Sequence, residues 1–188
     1  MRVDSDPSAQ LGEEFSATLF FHHPYGTPII GWEHEIERLG RDDAFAYYQR
    51  FYTPENAILV VAGDTDAAEV RRLAEETYGK IAARGAAPVR SRPLEPEPRA
   101  SRRVQLNDPR VRQPSLRRGW LTPTYTAGQR EEVLALELVA EILGGGTTSR
   151  LYRRLCVEDE LAAGASAYFM SSMVDRAAFQ ISASPRPG

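Results

Sequence analysis

The histidines are the first residues to test for chemistry, because imidazole is a common metal ligand. His22 and His23 lie side by side before a proline, and His34 opens the string H-E-I-E-R. That string begins like the zinc-binding helix H-E-x-x-H but lacks the second histidine four residues on. A metal site needs several ligands that converge on one point. The pattern therefore favours a structural or surface role for these histidines over a metal site.

The sequence also lacks a complete motif for a catalytic nucleophile or for phosphate binding. The sequence contains no G-x-S-x-G elbow, and the single cysteine, Cys156, falls in a predicted helix, where a buried, small apolar role is expected. One cysteine also excludes a disulfide or a thiolate metal site within the chain. The string G-G-G-T-T-S-R at 144–150 resembles a phosphate-binding turn, but it follows a helix and lacks the lysine of a P-loop. A tight turn between two helices is the prediction there.

Hydrophobic periodicity predicts the elements that must position these residues. The predicted helices are one that follows D-S-D-P at 4–7 and runs to about 21, then 32–39, 42–51, 67–78, 129–143 and 149–157. The predicted strands are 57–62, a β-branched run expected to be buried on both faces, then 103–106, 116–121 and a closing hairpin of 161–173 and 176–184. Helices and strands do not alternate strictly, so the prediction is an α+β fold with antiparallel sheets covered by helices.

Composition divides the chain into two halves. Between 82 and 100 four prolines occur and bulky apolar residues are few, which is typical of an extended linker. With 42% apolar and 26% charged residues over 188 positions, the chain is typical of a globular protein. No apolar run approaches the roughly 20 residues of a membrane-spanning helix, so no membrane span is expected.

The charge is unevenly distributed, although its formal sum is only -3. The stretch 80–118 holds 11 basic residues against 3 acidic ones, a local charge of +8 that leaves -11 for the remainder. Such a stretch could bind phosphate or an acidic partner. An anion- or nucleic-acid-binding module is therefore one hypothesis, and it predicts salt-sensitive binding. A solvated linker explains the stretch more simply, so no nucleic-acid partner is expected.

Three motifs, read in order, carry a family resemblance. They are H-P-Y-G-x-P-I-I-G at 23–31, F-Y-x-P-x-N-A-I-L-V-V-A-G-D at 51–64 and E-I-L-G-G-G-x-x-S-R-L-Y at 141–152. Together they resemble the pitrilysin/insulinase family of zinc peptidases, and most closely its short bacterial members, which are similar to mitochondrial processing peptidase. The resemblance extends from about residue 3 to residue 184, which is nearly the whole chain.

The resemblance implies two homologous α+β lobes that face each other across a closed chamber. It also implies a zinc ion in the first lobe, held by an H-x-x-E-H helix and a downstream glutamate. This chain has no H-x-x-E-H, and by position the third ligand is expected a few residues before Met1. The expectation is therefore a fragment: 1–81 ends the first, zinc-type lobe, 82–100 is the interlobe linker, and 101–188 starts the second, non-catalytic lobe. Zinc is expected in the parent protein and none in this chain, which is expected to hold no catalytic or metal-binding residue.

A second departure concerns substrate binding. In the places where many family members carry a substrate-binding arginine and tyrosine, this chain has Cys156 and Ala163. Neither side chain donates a strong hydrogen bond to a carbonyl or an oxyanion. The resemblance therefore implies a parent that cleaves peptides as a heterodimer with a related subunit, which supplies the missing pair. The alternative is a non-catalytic family member that serves as a scaffold or substrate-binding subunit. Whether the compartment is periplasmic or cytoplasmic stays open.

Overall fold

The chain forms two compact units. The computed structural model describes residues 2–86, 89 and 91–186. The first unit combines Met1–Ile29 with Pro93–Gly188, and the second is Ile30–Arg92. In the described part of the chain, none of the helices has the length and apolar character needed to cross a membrane.

The helices follow the predicted order. They are α1 (Arg2–Ser5), α2 (Pro7–Leu19), α3 (Glu33–Ile36), α4 (Arg41–Phe51), α5 (Ala67–Glu76), α6 (Arg130–Gly144) and α7 (Arg150–Tyr152). A π-helical stretch, Arg153–Glu158, continues α7, and short 3₁₀ turns occur at Pro24–Gly26, Pro54–Asn56 and Tyr78–Lys80. The predicted helix at 149–157 is therefore present, but most of it is wound as a π-helix.

The strands β1 (Leu116–Thr122), β2 (Ala162–Phe169) and β3 (Ala177–Pro185) form one antiparallel sheet in the order β1-β3-β2. Trp120 of β1 and Phe169 of β2 both lie opposite Phe179 of the central strand. A shift of register between Ala162 and Gly164 leaves one extra residue on β2, which is a β-bulge. The predicted α+β class and the closing hairpin are confirmed.

The core of the first unit lies where α6 packs against the sheet. Val133 and Ala140 on α6 are buried, as is Phe179 on β3. At the end of the helix, a Cβ on Gly144 would overlap the backbone nitrogen of Ala167. Glycine is therefore the residue that allows the last turn of α6 to contact the backbone of β2.

Helix α2 packs against the first strand. Asp6 caps it by accepting a hydrogen bond from the Ser8 N–H at 2.9 Å, and Pro7 occupies the first helical turn. Across from it, a Cβ on Gly119 would lie 2.8 Å from the ring of Phe15. The missing side chain on β1 thus makes room for an aromatic ring of α2.

The second unit has almost no core of its own. Among its described residues only Thr53 is buried. The prediction of a buried strand at 57–62 is wrong for this structure: the segment pairs with no other strand, and Ile58 and Val60 are 91% and 82% exposed. The physical reason is that a strand needs neighbouring strands to satisfy its backbone, and no second strand occurs in the described part of this unit.

The strand predicted at 103–106 is also wrong. No helix or strand forms in the described residues between Lys80 and Leu116. The side chains of this segment bond to one another: Gln105 accepts a hydrogen bond from Arg103 and donates one to Asn107. Alternating residue types predicted a strand, but without an adjacent edge the backbone of this segment stays unpaired.

Candidate functional site

The loop that follows α2 buries one of the three histidines. His23 is only 5% exposed. Its Nδ1 accepts a hydrogen bond from the Tyr25 N–H at 3.2 Å, which caps the 3₁₀ turn at Pro24–Gly26. Its ring centroid lies 4.1 Å from that of Tyr25 and 6.2 Å from that of Phe20. This is the structural role that the sequence favoured for the residue.

The turn between β2 and β3 meets the same loop. Asp175 is buried, and its Oδ2 lies 3.4 Å from Nε2 of His23. One residue earlier, the N–H of Val174 donates a hydrogen bond to the Tyr25 hydroxyl at 3.1 Å. Residues some 150 positions apart in sequence thus form a buried histidine–carboxylate pair, beside which the rings of Phe20 and Tyr25 lie.

Glu95 completes this cluster, and the sequence interpretation missed it. Glu95 is only 8% exposed, and its carboxylate accepts backbone hydrogen bonds from Phe21, His22 and His23. Burial alone would raise the pKa of Glu95, but the three N–H donors and the charge of Arg102 outweigh it and lower that pKa. The only signal in the sequence was a carboxylate in a stretch that is otherwise basic and rich in proline.

This cluster does not fit a zinc ion. Nδ1 of His23 already accepts a backbone proton and Nε2 faces Asp175, so neither nitrogen is directed to an open position. His34 lies exposed on the short helix α3. Within residues 2–86, 89 and 91–186, no three histidine, cysteine or acidic side chains are grouped so that they could hold a metal.

The glycine-rich turn after α6 lines an open pocket. Helix α6 ends at Gly144 and α7 begins at Arg150, so the predicted helix–turn–helix is confirmed. The pocket measures about 410 Å³, and its charged lining residues are Glu141, Arg150 and Arg153. Ser149 also lines it, and its buried Oγ has no hydrogen-bond partner among the residues that the structure describes. Charges of both signs therefore face the solvent at this turn.

The two positions that the family resemblance singled out lie in different environments. Cys156 is 6% exposed and belongs to the π-helical stretch Arg153–Glu158, which confirms the predicted burial of its thiol. Ala163 is exposed and sits at the bulge of β2. Neither residue places a hydrogen-bond donor at a surface where a peptide could meet it.

Comparison with known proteins identifies the family. The family model described as Peptidase M16 inactive domain matches residues 38–188. The chain belongs to this family. As an M16 inactive domain it has the fold that its motifs predicted, and the resemblance to the pitrilysin/insulinase zinc peptidases is confirmed.

The M16 inactive domain described here resembles longer proteins. An uncharacterized zinc protease of Mycobacterium leprae is 31% identical over 152 residues, which are 81% of this chain and 34% of that protein. The mitochondrial-processing peptidase subunit beta of Blastocladiella emersonii is 32% identical over 79 residues, 42% of this chain and 17% of its own length.

The crystal structure of a protease from Helicobacter pylori superimposes with a TM-score of 0.80 at 25% identity. The match covers 98% of this chain and 44% of that one. The M16 inactive domain therefore spans less than half the length of each of these three proteins.

Proposed function

We propose that these 188 residues are part of a zinc-dependent metalloendopeptidase subunit and form its non-catalytic junction between two lobes. In this proposal 1–81 ends the zinc-type lobe, 82–100 links the lobes, and 101–188 begins the second lobe. The parent cleaves peptides in a chamber between the lobes, with zinc ligands outside this chain. The observation that carries the proposal is the match of 38–188 to the Peptidase M16 inactive domain, together with zinc proteases among the relatives.

The exposed apolar surface of the second unit supports this division. Ile58 and Val60 face solvent on one side of the segment 57–62, and Leu59 and Val61 on the other side are each half exposed. A run of four large aliphatic side chains in water is unfavourable, by about 25 cal/mol for each Å² of apolar surface. Strands from a longer polypeptide would pair with the backbone of this run, and elements packed on the resulting sheet would cover its faces.

A heterodimer is the form in which we propose that the parent works. Cys156 and Ala163 offer no donor for a substrate carbonyl, and removal of one such donor typically costs roughly 10²–10³ in rate. A related subunit could supply both groups. One relative is named as a subunit of a processing peptidase, which supports the idea. The same two replacements also favour the second candidate, a non-catalytic scaffold or substrate-binding subunit.

Co-expression tests the proposal directly. The full-length parent is expressed alone, a neighbouring homologous subunit is expressed alone, and the two are expressed together. Hydrolysis of a quenched peptide is then measured before and after removal of zinc with a chelator. Zinc-dependent hydrolysis by the mixture, well above the sum of the two subunits alone, is expected. Full activity of the lone parent would refute the heterodimer, and no activity in any mixture would favour the scaffold.

Metal analysis of the 188-residue chain provides the matched control. No stoichiometric zinc is expected after dialysis, because the described residues do not group three ligands. One zinc ion per chain, lost on His23→Gln but retained on His22→Gln, would contradict the assignment of the zinc ligands to residues outside this chain.

A further inference from the structure

Three consecutive backbone N–H groups point at one carboxylate in the first unit. The N–H of Phe21 donates to Oε1 of Glu95 at 2.6 Å, and those of His22 and His23 donate to Oε2 at 2.8 and 2.7 Å. Successive N–H groups that converge in this way form a concave site for an anion. Here the anion is supplied by a side chain more than 70 positions away in the same polypeptide.

The residues after Glu95 are attached at two further points. Glu97 pairs with Arg176 beside the β2–β3 turn, with 2.6 Å between Oε1 and Nη1. Arg102 donates a hydrogen bond to the carbonyl of Thr18 on α2, and its guanidinium lies 5.5 Å from the ring centroid of Phe21. Residues 95–102, here called the strap, are thus fixed at both ends and in between.

The attachment at Glu95 is the strongest of these. Glu95 is buried, and its carboxylate accepts three charge-assisted hydrogen bonds, which are stronger than neutral ones. The pair of Glu97 and Arg176 has one exposed partner, since the Glu97 side chain is 79% exposed, and exposed ion pairs contribute little. Without the carboxylate, the three N–H groups would be left buried or half-buried and unpaired, which is costly.

We propose that Glu95 is the residue that locks the strap, so that residues 95–102 of the proline- and arginine-rich segment are held against the first unit. The strap ties the end of α2 to the β2–β3 turn, and release of Glu95 frees residues 95–102 without opening the sheet. The part of the segment 82–100 that begins at Glu95 therefore does not act as a free linker. This inference concerns the first unit alone and does not depend on peptidase activity.

Amide hydrogen exchange and limited trypsin digestion of the 188-residue chain test the strap. Trypsin cleaves after arginine, and the chain offers Arg84 before the strap and Arg99 within it. In the wild type we expect slow cleavage after Arg99, and Arg84 serves as a reference site outside the strap. Glu95→Gln should raise cleavage after Arg99, and exchange of the three amides at 21–23, by about tenfold. Cleavage after Arg84 should not change.

Glu97→Gln is the matched control, because it changes an exposed carboxylate of the same segment. It should raise cleavage after Arg99 by less than about twofold. Unchanged cleavage after Arg99 in Glu95→Gln would overturn the proposal, and so would unchanged exchange at 21–23 in that variant. If Glu95→Gln also speeds exchange of Phe179 in the middle of β3, the whole unit has opened. The carboxylate would then support the fold and not a separable strap, which also overturns the proposal.

Discussion

Nε2 of His23 lies 3.4 Å from Oδ2 of Asp175, and the two side chains are only 4% and 12% exposed. Because Nδ1 accepts the Tyr25 N–H, the proton of the neutral ring resides on Nε2 and faces the carboxylate. The distance exceeds that of a good hydrogen bond, so the contact is an electrostatic attraction between the ring and the carboxylate that holds the two side chains together. It joins the loop after α2 to the turn between β2 and β3.

Replacement of His23 should destabilise the first unit, whereas replacement of its neighbour should not. In His23→Ala the cap of the 3₁₀ turn, the ring contact with Tyr25 and the partner of Asp175 are all lost. We expect the free energy of unfolding to fall by about 2 kcal/mol. His22→Ala removes an exposed side chain and should change it by less than about 0.5 kcal/mol. Urea denaturation measures the unfolding free energy of both variants. Equal losses in the two would show that the buried contacts of His23 do not stabilise the unit.

Stability should depend on pH through Glu95. Its pKa in the folded chain lies below the ordinary value of 4.5, since three N–H donors and Arg102 outweigh the effect of burial. A carboxylate with a lowered folded pKa contributes stability above its unfolded pKa, and this contribution is lost as the pH falls through the folded pKa.

The difference in unfolding free energy between wild type and Glu95→Gln should therefore be largest near neutral pH and shrink below pH 4.5. Denaturation over a pH series gives this difference directly. The rest of the cluster is the same in both proteins, so the difference isolates Glu95. A difference that grows on acidification would contradict the assigned role.

Gly144 should not tolerate a side chain. A Cβ there overlaps the Ala167 backbone, and the strand cannot move away without losing its pairing with β3. We expect Gly144→Ala to lower the unfolding free energy by about 1–3 kcal/mol. Gly164 has open space around its Cβ position, so Gly164→Ala serves as the control. Thermal unfolding followed by circular dichroism compares the two, and a Gly144→Ala variant as stable as the control would be inconsistent with this packing.

Restoring the family arginine at Cys156 should fail for a structural reason. The thiol is buried, so Cys156→Arg would place a guanidinium in the core or force the π-helical stretch to move. We expect a loss of about 3 kcal/mol or more. Ala163→Tyr, at the exposed bulge, should be nearly neutral. Normal stability of Cys156→Arg would mean that the arginine reaches solvent from this position, and the single subunit could then be tested for gained activity.

Much of the fold follows from local patterns. The 3.6-residue periodicity of 129–143 predicted α6, and the glycines at 144–146 predicted its end, because helix formation and termination depend on neighbouring residues. The burial of Cys156 agrees with the small apolar role expected of a lone cysteine inside a predicted helix. Three spaced motifs were sufficient to predict the family.

Tertiary structure decided what depends on partners distant in sequence. The β-branched run at 57–62 has every local property of a strand but forms none here, because its backbone has no neighbouring strand in the described part of its unit. Glu95 and Asp175 showed no local pattern that marked them as buried. Their positions depend on chain segments more than 70 residues away, which supply the N–H donors and the imidazole that make burial of a carboxylate possible. A sequence determines where a helix can begin and end, but contacts of this range exist only after the chain has folded.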